Sequence, residues 1–346
     1  MYFASDNAGP VIPEAFEAMA RVNQGYAYAY GNDPYSETIR AKIRDLFEAP
    51  QAEVFFVPSG TAANALALAS ITRPFEAIFT HESAHIEMSE ANAAEFFTGG
   101  AKLVTLAGAG GKIDPAALSL AIEARARGGV DTQRGPLSLT QVSDLGGVYD
   151  LDHIRALTGI ADEFGLATHM DGARFANALV HLGCSPAEMT WKSGIDVLSF
   201  GGTKNGLMAA EAVVFFKPEL AAEFGIRRLR AGHMLSKQRF IAAQYEAYLE
   251  ADRWLALARH ANDMAAVLER ELRDVKGVEI LQTREANLLF ISLPADAHKR
   301  AQDAGAMYYA SPAKSGEINA RLVCNWATSR ADIDQIITLF KGPKNV

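Results

Sequence analysis

The sequence predicts an α/β protein: a mainly parallel seven-stranded sheet with helices on both faces, followed by a smaller C-terminal α+β domain. Three observations carry that expectation. Short apolar or β-branched runs alternate with helical patterns from Glu53 to Phe216, the signature of a largely parallel sheet covered by helices. After Gly232 the texture changes to a long alanine-rich stretch. Finally, 346 residues suffice for one large core plus a satellite domain.

In chain order the candidate strands are EVFFV (53 to 57), AIFT (77 to 80), KLVTL (102 to 106), LSLTQV (137 to 142), ATHMD (167 to 171), VLSFG (197 to 201) and AVVFF (212 to 216). Helical stretches such as TAANALALAS, DPAALSLAIEARA and LDHIRALTGIADEFG lie between them, with Asp114 and Asp152 as the expected N-caps of the last two. The segment from Lys237 to about Val275 reads as one or two helices, and VEILQ, NLLFISL and ARLVCN follow as strands. GAGGK (108 to 112) follows a strand but has neither dinucleotide-loop nor Walker spacing, so it reads as a plain loop.

Composition narrows the function classes. About half the residues are apolar and 21% are charged, which fits a globular chain with extensive interfaces and excludes a disordered one. A net charge of -8 disfavours nucleic acid or an anionic membrane as partner. The cluster Arg227, Arg228 and Arg230 reads as a solvated or subunit-contacting helix face. Cys184 and Cys324 stand far apart without C-x-x-C or metal-ligand spacing, so reduced core thiols and no metal site are expected. The opening MYFASDNAGP lacks a basic-then-apolar pattern, and no apolar run approaches the ~20 residues of a membrane span, so the cytoplasm is the expected compartment.

Chemistry concentrates at two strand ends. Asp171 closes ATHMD and Lys204 stands just past VLSFG, where open α/β sheets place ligand-binding groups. An aldehyde cofactor requires a lysine for its Schiff base and a carboxylate that keeps its pyridine nitrogen protonated, so that the ring becomes an electron sink. Alone, such an aspartate is usually a cap or surface charge, and such a lysine is usually solvated. The flanking letters strengthen the pair: HMDGAR (169 to 174), SFGGTKNG (199 to 206) and, upstream, SGTAAN (59 to 64). In SGTAAN, Ser59, Gly60 and Thr61 offer backbone N–H groups and the Thr61 hydroxyl at a helix N-terminus, a natural phosphate site.

These modules, in this order, resemble the fold-type I pyridoxal-phosphate enzymes. Over nearly its whole length the chain resembles the low-specificity L-threonine aldolase branch of the β-eliminating lyase group. The resemblance implies a transferase-like fold of that type, with pyridoxal 5'-phosphate covalent on Lys204 and Asp171 at its ring nitrogen. It implies retro-aldol cleavage of L-threonine, L-allo-threonine or a related β-hydroxy-α-amino acid such as phenylserine, giving glycine and an aldehyde. SDNAGP (5 to 10) is similar to the family's N-terminal opening and puts Ser5 on the substrate carboxylate. YGNDP (30 to 34) resembles a segment near cofactor and subunit interface, which brings Tyr30 to the substrate side. HESAHIEMSEANAA (81 to 94) resembles the segment whose histidine stacks on the pyridine ring; the match falls on His85 rather than His81, and that imidazole, directly or through a water, takes the β-hydroxyl proton.

DGAR and ARLVCNW give Arg174 and Arg321, which match arginines that hold the substrate carboxylate, a task suited to a planar guanidinium fork. Arg321 would otherwise be a costly charge among apolar strand residues. Thr203 stands where serine commonly precedes the lysine, beside the cofactor. In RAGHMLSKQ (230 to 238), Lys237 matches a basic residue that reaches the phosphate of a neighbouring subunit. One segment departs from the pattern. LTQVSDLGG (139 to 147) occupies the place of the family's Glu-Asn-Thr-His, so that histidine is absent and Gln141 or Ser143 is left to contact the cofactor or substrate.

The resemblance further implies a homo-oligomer with shared active sites, commonly a homotetramer built as a dimer of dimers in the family, while the residues themselves fit a dimer as well. It divides the chain into an N-terminal active-site segment (1–12), a large cofactor-binding domain (13–235) and a small domain (236–346). Other reactions of the same cofactor, namely β-elimination, transamination and racemisation, begin alike; Ser5, His85 and Arg321 favour cleavage. A non-catalytic cofactor-binding protein is the reading from another class, and the intact lysine speaks against it.

Overall fold

The computed structural model describes residues 1–313 and 316–342. Its larger sheet contains β1 (Glu53–Val57), β2 (Glu76–His81), β3 (Lys102–Leu106), β4 (Gln133–Thr140), β5 (Thr168–Gly172), β6 (Val197–Gly201) and β7 (Glu211–Phe215), in the order β1-β7-β6-β5-β4-β2-β3. All pairs from β6 to β3 are parallel, and β7 alone runs antiparallel, between β6 and β1. The expected sheet is therefore present. The central strands β5, β6 and β7 are buried on both faces, as a helix-covered sheet requires. Val54, Phe56, Leu198, Phe200 and Val214 enter the main core on one side. Val57, Val197, Val213 and Phe215 pack on the other against Ala62, Ala63, Leu66 and Ala67 of helix Gly60–Ile71. Because side chains alternate along a strand, Met170 points into the main core and Asp171 toward the face that carries this helix.

Local deviations from the sequence reading have identifiable causes. Strand β4 begins earlier than expected because Gly135 and Pro136 sit at a register shift opposite Ala77 and Phe79, a bulge that accommodates proline inside a sheet. It also ends before Gln141, which leaves 141 to 149 as a loop. Helix Leu151–Glu163 is capped by Asp150, whose carboxylate accepts from the His153 N–H at 2.8 Å; Asp152 lies inside the first turn, where it cannot cap. Asp114 caps helix Pro115–Glu123 as expected. Arg228 does not lie on a solvated face: it is buried, stacks on Phe55 and donates to the Phe56 carbonyl. Two N-terminal helices, Pro13–Val22 and Pro34–Leu46, were not expected.

The alanine-rich stretch forms two helices, Arg239–Leu249 and Arg253–Arg273, with Ala251 and Asp252 at positive φ between them. Beyond it lies the smaller antiparallel sheet of β8 (Glu279–Ile280), β9 (Leu288–Leu293), β10 (Tyr309–Pro312) and β11 (Ile318–Val323), ordered β10-β11-β9-β8. The exposed edge strand β10 carries no apolar alternation, which is why the sequence does not announce it. Cys324 is buried in this core and Cys184 is half-buried; both are free thiols.

Residues 1 to 12 strap the two parts together. Phe3 packs in the small core and exchanges backbone hydrogen bonds with Met307 and Val323, whereas Ile12 packs in the main core and donates to the Gly206 carbonyl. The assignment of the cap gives a direct check. Asp150→Ala loses about 1 kcal/mol of stability, seen as a lower thermal midpoint, and Asp152→Ala loses less because that side chain is almost fully exposed.

Candidate active site

Two adjoining cavities of about 230 and 490 Å³ open at the carboxyl edge of the large sheet and share Asn7, His85 and Lys204. The smaller is lined by Ser59, Gly60, Thr61, Asn64, Asp171 and Thr203, among others. Ser59 is the N-cap of helix Gly60–Ile71: its hydroxyl accepts from the Ala62 N–H at 3.3 Å, and Gly60 and Thr61, whose N–H groups precede the first helical bond, line the cavity. A Cβ on Gly60 would meet nothing within 4 Å, so the backbone there is open to a ligand. Lys204 sits in the turn Thr203–Asn205 after β6. Glu211 pins this turn from β7: it accepts from the Gly202 N–H at 3.1 Å and from the Thr203 hydroxyl. Burial pushes the Glu211 carboxyl up to about 7, so it carries only part of a negative charge at neutral pH.

Asp171 is buried and held from two sides. Its Oδ1 accepts from the Ala173 N–H and its Oδ2 from Asn64 Nδ2, each at 3.0 Å. Asn64 Nδ2 also donates to Glu90 Oε1 at 3.0 Å, and the same oxygen lies 2.8 Å from His85 Nδ1. One amide thus joins the two buried carboxylates behind the cavity. This contact engages Nδ1 and leaves Nε2 as the ring nitrogen without a partner among the described residues. The Glu90 hydrogen bond raises the His85 pKa, against the opposing effects of burial and Lys204.

At the substrate end, Ser5, Asn7, His85, Ser89, Asp144, Arg174, Lys204, Tyr309 and Arg321 line the larger cavity. Arg174 is already paired: Nε donates to Asp6 Oδ2 at 2.7 Å and Nη2 to Oδ1 at 2.9 Å, with both side chains buried. Burial opposes the Asp6 charge, yet Arg174 and Lys204 hold its carboxyl below the usual range. Arg321 retains more capacity. It gives one bond to the Ala4 carbonyl, its guanidinium lies 4.8 Å from the Tyr309 ring centroid, and its buried Nε has no partner among the described residues. Burial, reinforced by Arg174, lowers its pKa, a situation that an incoming carboxylate would relieve.

The cavities thus gather Ser5, Ser59, Gly60, Thr61, His85, Asp171, Arg174, Thr203, Lys204 and Arg321. Five other positions lie elsewhere. Gln141 is spent on the Tyr149 backbone through both ends of its amide, and Ser143 bridges the Gly110 carbonyl and the Gly147 N–H. Tyr30 is half-exposed, and its N–H bonds the carbonyl of Ser236, next to the exposed Lys237. His81 is held between Ser83 and the Gly108 carbonyl. Asn64, Glu90, Asp6, Asp144 and Glu211 emerge only from the structure. Asn64 alone left a signal, as the one amide in an otherwise apolar, fully packed helical run.

The donor set fits pyridoxal phosphate: a lysine in the cavity, a buried carboxylate for a ring nitrogen, and a helix N-terminus with an open glycine for a phosphate. The Glu90 contact predicts a measurable shift. In Glu90→Gln the His85 imidazole titrates at lower pH than in the native protein, as followed by diethylpyrocarbonate labelling across pH with peptide mapping.

Comparisons with known proteins agree with this geometry. Residues 2–295 match the family described as Beta-eliminating lyase. The low-specificity L-threonine aldolase of a Pseudomonas species is 41% identical over 96% of this chain and 95% of its own, and that of Pseudomonas aeruginosa is 42% identical over 96% and 94%. A solved structure of Leishmania major threonine aldolase superposes with a TM-score of 0.92, at 26% identity and 98% coverage of both chains. The chain belongs to the β-eliminating lyase family, in its low-specificity L-threonine aldolase branch.

Proposed function

We propose that this protein cleaves the Cα–Cβ bond of L-threonine, L-allo-threonine or a related β-hydroxy-α-amino acid such as phenylserine, releasing glycine and an aldehyde. The observation that carries this reading is a single cavity system holding a lysine, a buried carboxylate, a carboxylate-paired histidine and an arginine with an unused buried donor. Ser59, Gly60, Thr61 and Thr203 would hold pyridoxal phosphate at its phosphate end, Asp171 at its ring nitrogen, and Lys204 covalently. Bound there, the cofactor supplies a conjugated ring that accepts the electron pair of whichever Cα bond stands perpendicular to it.

The chain's own residues then decide which bond that is. Arg321 and Ser5 grip the substrate carboxylate, and Arg174, fixed by Asp6, adds its remaining donor. This grip turns Cα so that Cβ, not the carboxylate, occupies the reactive direction. His85, oriented by Glu90, faces the cofactor and the β-hydroxyl as an acid–base group. Retro-aldol cleavage is favoured over β-elimination, transamination and racemisation because these groups converge on the carboxylate and hydroxyl.

We infer a homotetramer with shared sites. Tyr26, Tyr28 and Tyr30 are exposed on a short segment, and Tyr30 is bonded to the backbone beside Lys237. An exposed aromatic cluster with an adjacent cation suits a subunit contact that delivers Lys237 to a neighbour's phosphate. The cytoplasm suits a chain in which no described helix is long and apolar enough to cross a membrane.

Lys204→Ala abolishes the visible absorbance of bound cofactor together with aldehyde release from threonine; a purified variant that kept both would refute the assignment. His85→Ala retains the absorbance but slows cleavage by about 10²–10⁴-fold, measured as kcat/KM for L-threonine.

A further inference from the structure

The loop 141 to 149, where the sequence departs from the family pattern, places one side chain in the larger cavity. Gln141 and Ser143 are turned inward and spent on the loop's own backbone and on Gly110. Asp144, next in the chain, lines the cavity with Ser5, His85, Arg174, Lys204 and Arg321. Its Oδ2 is buried and has no hydrogen-bond partner among the described residues. A buried carboxylate oxygen without a donor is expensive, and a protein retains one where a ligand supplies the donor. The loop is built to keep it there. The glycine run 108 to 112 packs beneath: a Cβ on Gly111 would lie 2.6 Å from Ser143 Oγ, and one on Gly147 would lie 2.2 Å from the Gly110 carbonyl. The glycines therefore permit a backbone approach that fixes the loop and aims Asp144.

We propose that Asp144 accepts the hydrogen of the substrate's β-hydroxyl and is the residue that makes a hydroxyl at Cβ a requirement. This rests on the aldolase reading of the site. The guanidinium groups occupy the substrate carboxylate, Lys204 and Asp171 belong to the cofactor, and of the substrate's own donors the β-hydroxyl is the one left for the Asp144 carboxylate. In the cleavage step the hydroxyl proton passes to the Asp144 carboxylate and the O–H pair becomes the second bond of the aldehyde carbonyl. The Cα–Cβ pair is left on Cα, which takes a proton to leave as glycine. His85, to which the family resemblance gives that proton, acts here instead as a donor to the oxygen of the same hydroxyl. Two environmental effects support this division: burial raises the Asp144 pKa toward that of a useful base, and Glu90 keeps the imidazole protonated to higher pH.

The test compares the native holoenzyme with Asp144→Asn and Asp144→Ala on two reactions: cleavage of L-threonine, and exchange of the glycine α-hydrogen with deuterium oxide, which involves no hydroxyl. Both variants keep the visible cofactor absorbance, because the Asp144 side chain makes no hydrogen bond among the described residues on which the fold would depend. In both, kcat/KM for threonine falls by about 10²–10⁴-fold and glycine exchange stays near the native rate. Unchanged threonine cleavage, a parallel loss of glycine exchange, or loss of the absorbance would each overturn the assignment. Failure of the native enzyme to release glycine from threonine or phenylserine would instead overturn the functional reading itself, and this one with it.

Discussion

The active site depends on one buried ion pair, Asp6 with Arg174. The two forks meet through two hydrogen bonds, and Asn287 donates to Asp6 from the small domain. Three separate parts of the chain are thereby joined: the N-terminal strap, the turn that follows β5, and the segment leading into β9. Removing one partner of such a pair leaves an uncompensated buried charge, at a cost of about 3–5 kcal/mol. The pair also fixes the neighbours that do chemistry. Ser5 and Asn7 flank Asp6 in the cavity, Arg321 is tied to the same strap through the Ala4 carbonyl, and Asp171 lies three residues before Arg174. Arg174 thus serves first as the strut of the site, and the free guanidinium donors are chiefly those of Arg321.

A second constraint lies behind the cofactor cavity. Asn64 donates to both Asp171 and Glu90, and Glu90 meets His85. This line links the group at the ring nitrogen to the group at the ring face, so the two cannot be positioned independently. Low local dielectric strengthens every member of such a chain while all of them are satisfied. Here Asn64 Oδ1 and Glu90 Oε2 remain without partners among the described residues, which places unused acceptors near the site.

Much of this was legible in the sequence, for a physical reason. Strand runs of fixed period and the modules SGTAAN, HMDGAR and SFGGTKNG are local, and local pattern reports sheet edges and the groups placed there. The sheet, its helix-covered faces and the placing of Ser59, Asp171 and Lys204 at strand ends follow from it, whereas Arg321 is reached only through the family resemblance of ARLVCNW. What stayed hidden depends on distant contacts. Nothing near Asp6 announces Arg174, and nothing near Glu90 announces Asn64. Gln141 and Ser143 looked available because a sequence shows residue type and not direction; only the folded loop shows both turned inward and Asp144 exposed to the cavity. Asp150 and Asp152 illustrate the same limit at short range, since two carboxylates near one helix start are separated only by which one reaches the His153 N–H.

The central claim, carbon–carbon cleavage at the Lys204 cavity, is tested most directly by the products formed from L-threonine. Glycine and acetaldehyde in equal amounts, with no 2-oxobutanoate or ammonia, is the predicted result. Formation of 2-oxobutanoate and ammonia, or threonine consumed without aldehyde, would contradict it.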